Sequence, residues 1–189
     1  MSDYIRIAIV FVAAVNPASA ALSLVRQRAG ATQPARTRAV APAIGFAVAV
    51  LLFAAAAGAA SRLLDLLEVE PETFRIGAGI VMLISGAAAL VPGLTVTGEA
   101  APGWRAGIYP LGLPGLAGAA GLVAAVSYSA DEGFGMAFGA AVPALALGAG
   151  LAGVASARWR PGLQVAATLL GALLVALAVA LIVSGVRDI

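Results

Sequence analysis

The chain has 189 residues, of which 62% are hydrophobic and 11% charged, with a formal net charge of +2; its mean hydropathy of +1.03 lies far above the balance of a soluble domain. It contains no cysteine, histidine or lysine, which excludes disulfides, thiolate catalysis and thiolate metal sites. The basic pI, near 9.7, comes from arginines in short connections between apolar runs, where they report membrane orientation and not nucleic-acid binding.

About 20 helical residues are needed to cross about 30 Å of hydrocarbon, and six runs qualify, giving an all-α membrane protein of one transmembrane domain over 1–189. The first, Tyr4 to Val25, has no clear basic flank and runs past any small-residue cleavage site, so it is read as a retained span. Near its middle stands "VNPAS": Asn16 is a good N-cap and Pro17 is favoured at the first helical position, so the helix is expected to stop and restart. The second span, Ala39 to Ser61, contains "VAVLLFAAAAGAA", with none of the polar face that a soluble bundle would need. The third, Thr73 to Val91, opens with Glu72 and Arg75 three residues apart. The simplest reading is a snorkelling, paired interfacial arginine; a gate or a contact to a substrate carboxylate is the other.

The fourth span, Ala106 to Ser129, carries Pro110, Gly112, Pro114 and Gly115 within "YPLGLPGLAGAAG", too many breakers for a continuous helix, and a restart is expected near Pro114. Two proline kinks, their freed carbonyls satisfied by Ser19 or Ser23, are the alternative to two breaks. The fifth, Phe134 to Ala157, holds Gly135 and Gly139 at the spacing of a small-residue helix contact. The sixth, Gly162 to Val186, is apolar all round.

The first, third and fifth connections hold seven arginines (Arg26, Arg28, Arg36, Arg38, Arg105, Arg158, Arg160) against Glu99, net +6. The opposite side holds four (Arg6, Arg62, Arg75, Arg187) against eight acids, net −4. The arginine-rich side should be cytoplasmic, with both termini outside and Trp104 and Trp159 as interfacial anchors. With three spans in each half, the second half enters from the opposite face, so shared folding would make two inverted three-helix repeats, 1–96 and 97–189. Laying Pro17 over Pro114, an offset of 97 residues, brings the later spans close to register. The breakers fall in corresponding spans, the first and fourth, as in transporters with a central site.

Three patches, "VNPAS", "FRIGAGIVML" at 74–83 and "YPLGLPGLAG" at 109–118, resemble the MarC family of integral membrane proteins in order and spacing. That resemblance implies six helices in two inverted halves, interrupted first and fourth helices, and a link to small neutral amino acid transport. The chain departs from the family pattern at Ser19, at Ala119-Ala120, and in having no acid late in the third span.

No Asp, Glu, His or Lys lies well inside any span, which disfavours a carboxylate or histidine proton relay. It also disfavours a serine nucleophile with its base, and metal hydrolysis, so the chain is not read as an enzyme. What remains is a site of backbone and small polar groups: Asn16, Pro17, Ser19, Pro110, Gly112, Pro114 and Gly115, with Arg75 as a further candidate. Helix N-termini after the breaks suit a carboxylate, and freed carbonyls suit sodium as a coupling ion. No other cofactor is expected. Ser85, Ser127, Tyr128 and Thr168 either line the cavity or bond back to their own helices. The expected function is a secondary transporter of a small polar solute, with the lipid bilayer and that solute as partners. The alternatives are a structural or regulatory protein of the same fold, and a passive channel, which would show neither saturation nor counterflow. Small-residue faces serve internal packing as readily as a homo-oligomer.

Overall fold

Each apolar run forms a helix because lipid supplies no partner for backbone N–H and C=O groups, leaving the intrahelical ladder to satisfy them. The computed structural model describes residues 3–28, 35–91 and 104–189, with the backbone alone for 27, 28 and 35–39. Helices α1 (Asp3–Val15) and α2 (Pro17–Arg28) make up the first span, α3 (Ala35–Gly58) the second and α5 (Pro71–Leu90) the third. A segment of wide, π-type turns (Gly107–Leu116) leads into α6 (Ala119–Glu132), and α7 (Phe134–Val154) and α8 (Arg160–Asp188) complete the chain. No strand occurs among the described residues. Five stretches are long and apolar enough to span a membrane, and the bent pair 107–116 and 119–132 is a sixth if counted as one.

Between α3 and α5, where the sequence reads as a plain connection, lies α4 (Ala60–Leu67). Its Leu64 is buried beside Val126, whereas Leu66 is 81% exposed and Leu67 is exposed too. Charged residues Arg62 and Asp65 share this short helix with the exposed leucines, the composition of a helix lying in the membrane interface.

Polar contacts assign the helix ends to two faces. Arg6 reaches Glu132 at 3.8 Å, and Tyr4 donates to the Gly139 carbonyl. Arg75 pairs with Asp131 and Asp188. The starts of α1, α5 and α7 and the ends of α6 and α8 therefore share one face, called the termini face because the first and last described residues, Asp3 and Ile189, belong to these helix ends. At the other face Arg26 donates to Gln164, Arg160 donates to the Val25 carbonyl, and Arg105 lies over the exposed Trp104. This division groups Arg6 and Arg75 with Asp131, Glu132 and Asp188, and Arg26 with Arg160, as the arginine counting does; Glu99, the side chains of Arg28, Arg36 and Arg38, and the boundary at 96 and 97 lie outside the described residues.

Glycines set the tightest packing. An added Cβ at Gly86 would lie 2.9 Å from the Gly171 carbonyl oxygen, and one at Gly185 the same distance from that of Glu72. Since Gly79 meets Ile182 while Gly86 meets Gly171, α5 and α8 run antiparallel with their backbones in contact. By contrast nothing lies within 4 Å of an added Cβ at Gly135 or Gly139, so the Cα faces of that pair do not form a tight helix contact among the described residues. The core between α1, α3 and α6 is aromatic: Phe11 packs against Phe53 and Tyr128 with centroids 6.0 and 6.2 Å apart.

Candidate functional site

The first span breaks at Asn16, whose φ of +47° puts it in the left-handed region. Pro17 has no N–H to offer the Ala13 carbonyl, so the ladder cannot run through, and asparagine is among the few side chains that tolerate such a turn. The Asn16 side chain secures the break on both sides. Its Oδ1 accepts from the Ser19 N–H at 3.1 Å, capping α2, and its Nδ2 donates to the Ala167 carbonyl in α8 at 3.0 Å.

The fourth span breaks more extensively. Tyr109 and Leu113 are extended (φ −130°, ψ 126° and φ −124°, ψ 126°), each preceding a proline in cis peptide linkage. The Ala117 N–H donates to the Gly112 carbonyl, one π-type turn back. The restart expected near Pro114 comes later, at Ala119, after a bend of 57°. The physical reason is that tertiary amides at Pro110 and Pro114 withhold two donors and hold their predecessors extended, so a regular ladder begins only beyond Leu116.

The two breaks meet across one cavity of about 280 Å³. Asn16 and Ser19 line it from the first span, Pro110, Pro114 and Gly115 from the fourth. Three candidate residues lie elsewhere. Pro17 is buried toward α7, where an added Cβ at Gly148 would lie 3.6 Å from its Cα. Gly112 packs against Val48 of α3. Arg75 stands at the termini face, its Nε and Nη2 donating to both oxygens of Asp131 and its Nη1 to Asp188. Its partners are therefore not Glu72, the neighbour in sequence.

The sequence reading leaves out Ser23, Gly118, Ala119, Ala120 and Leu174, which also line the cavity. Ser23 and Ser85 do so while donating back to the Ala20 and Val81 carbonyls, which leaves their oxygens able to accept. Thr168 donates to the Gln164 carbonyl and, with Ser127 and Tyr128, is not part of the lining. The first turns of α2 and α6 both abut the cavity, one helix running from it to the arginine-rich face, the other to the termini face. Two positive helix ends thus converge on a space whose lining contains no charged side chain.

A family model described as MarC family integral membrane protein matches residues 1–189. The chain belongs to the MarC family. No curated protein and no solved structure matches it. The family match covers both broken spans and every residue of the cavity.

In this MarC family protein Ser19 is part-exposed to the cavity. Its hydroxyl has no hydrogen-bond partner among the described residues, in contrast to those of Ser23 and Ser85. A Ser19→Cys protein, with no native cysteine to confuse the readout, is expected to react with a small polar thiol reagent. An inert thiol would mean that the position is packed against a helix and not wetted.

Proposed function

We propose that the protein is a secondary transporter of a small polar solute, of the class of small neutral amino acids, and not an enzyme. The observation that carries this reading is the meeting of two broken spans across one cavity. Its polar groups are an asparagine, serine hydroxyls and two helix N-termini. A zwitterion finds complementary parts there: its carboxylate suits the positive helix ends, and its ammonium suits carbonyl and hydroxyl oxygens. At about 280 Å³ the cavity lies at the small end of ligand pockets, which run from about 300 to 1,000 Å³, in keeping with a solute of a few heavy atoms. Sodium is the coupling ion that such oxygens would take, since it needs no ionisable side chain.

Alternating access would follow from an inverted repeat of the halves, and the helix neighbours support one. Exchanging halves turns the packing of α5 on α6 into that of α8 on α2, and α3 on α6 into α7 on α2; both members of each exchange occur. With the arginine-rich face cytoplasmic, both termini lie outside the inner, or plasma, membrane.

Counterflow in proteoliposomes preloaded with glycine, alanine or serine, with and without sodium, tests the reading. Saturable uptake of labelled solute is expected, and Ser19→Ala should weaken it several-fold while changing stability by no more than about 0.5 kcal/mol. Folded protein that gives no counterflow with any of the three solutes would count against it.

A further inference from the structure

The cavity ends part-way across the molecule. Its lining extends from Asn16 to Ser23 on α2 and to Ala89 on α5, toward the arginine-rich ends of both helices. Toward the termini face the same α5 stripe continues as Met82, Ala78 and Arg75, at alternating spacings of three and four residues. Met82 and Ala78 are 1% and 2% exposed. The facing stripe of α6 leaves the cavity at Ala120 and continues through Ala124 and Ser127 to Asp131, with Ala124 fully buried. A closed seam therefore joins the cavity to the ion pair at the termini face.

One group in this seam is out of place if its only role is packing. The Ser127 hydroxyl is buried, the residue being 2% exposed, and it has no hydrogen-bond partner. It does not bond back to its own helix as Ser23, Ser85 and Thr168 do. A buried hydroxyl in that state carries a desolvation penalty that apolar packing would avoid, and it gains a partner only when water or solute enters.

The two bonds made by Arg75 are not equivalent. Asp188 belongs to α8, which is packed backbone to backbone on α5 through Gly79, Gly86, Gly171 and Gly185, so that bond lies within one helix pair. Asp131 belongs to α6, across the seam, and both its carboxylate oxygens accept from the guanidinium, at 2.8 and 2.9 Å. Both side chains are largely covered, 19% and 14% exposed. Away from α8, α5 meets the bundle chiefly through α6. At the opposite face the α5–α8 pair is held to α2 by Arg26 with Gln164 and by Arg160 with the Val25 carbonyl. This is the counterpart contact when the halves are exchanged.

We propose that the α5–α6 seam is the closed half of the solute pathway, that Arg75–Asp131 is its latch, and that Ser127 is the polar station inside it. This rests on the transport reading above. The α5–α8 pair swings as a unit, and releasing Asp131 opens the seam to the termini face while the bond to Asp188 travels with the pair.

Thiol accessibility tests the latch without requiring transport. Full-length Ser127→Cys protein in detergent is treated with a small, membrane-impermeant thiol reagent, alone and combined with Asp131→Asn or Asp188→Asn, with Ser19→Cys protein as the cavity reference. The Ser127→Cys protein should react slowly. Asp131→Asn should speed it by about tenfold or more, since a two-point charged hydrogen bond is lost, and Asp188→Asn should leave it within about twofold. Equal acceleration by both changes would overturn the latch. So would a thiol that reacts at the reference rate without any second change, or one that stays inert even with Arg75→Gln. Arg75→Gln also serves where Asp131→Asn fails to give monodisperse protein. A Ser19→Cys protein that stays inert beside a latch behaving as described would count against the transport site alone.

Discussion

Asn16→Ala is expected to destabilise the protein by about 2.5–3.5 kcal/mol and to abolish counterflow. Three losses contribute. Removing the N-cap costs about 1 kcal/mol, and placing alanine at a left-handed φ costs about 1–2. Losing the bond to the Ala167 carbonyl adds about 0.6, the mean for interhelical bonds within membranes. Two further variants separate these contributions. Asn16→Gly removes the conformational cost and should recover about 1 kcal/mol without restoring counterflow. Asn16→Asp keeps the capping oxygen but loses the amide donor, so its ionised form would bring an uncompensated charge to the cavity. Thermal unfolding in detergent reads the stability and the proteoliposome assay the transport. An Asn16→Ala protein with unchanged stability and counterflow would mean that neither the break nor the site depends on this side chain.

Gly107→Ala should be the most damaging single-methyl addition. Its Cβ would run into the Ala41 carbonyl oxygen and come within 2.9 Å of the Ile44 Cβ. The obstacle is backbone of α3, which cannot turn aside like a flexible side chain, so the cost lies at or above the upper end of overpacking, about 3 kcal/mol. Gly139→Ala is the matched control: nothing lies within 4 Å of its added methyl, and exchanging glycine for alanine in a helix gains up to about 1 kcal/mol. A loss of folded protein for the first and none for the second is the expected result. Similar midpoints for both would refute the close approach of the 107–116 segment to α3.

The spans and the breaks were legible because both rest on local chemistry. Twenty apolar residues without charge specify a crossing, and Asn-Pro or a Pro-Gly cluster specifies an interruption whatever the surroundings. Rotation about the helix axis was not legible. In a soluble helix the polar face marks which side is buried, but "LLGALLVALAVALIV" has no such mark, and in lipid both faces are apolar. That is why the sequence does not separate Pro17 and Gly112, which pack toward α7 and α3, from Asn16 and Pro114. It is also why the sequence marks Gly135 and Gly139 as a helix contact and not Gly79, Gly86 and Gly171, which make one. Arg75 illustrates a different limit. Glu72 is its neighbour in sequence, but Asp131 and Asp188 are brought to it by the ends of two other helices, α6 and α8. The late restart of α6 follows from successive proline-bearing turns, whose combined geometry no single residue reveals.

The unequal lengths of α5 and α8 bear on the bilayer this protein needs. At about 1.5 Å per residue, the 20 residues of α5 cover about 30 Å, the thickness of a typical hydrocarbon layer, whereas the 29 of α8 reach about 44 Å. With Gly185 level with Glu72 and Gly171 level with Gly86, the excess of α8 projects beyond the end of α5 at the arginine-rich face. A thicker membrane would cover that overhang while burying the end of its shorter partner; a thinner one would expose apolar α8 or force the pair to tilt. Acyl-chain length should therefore act on this helix pair directly, making the host lipid a determinant of how readily it moves.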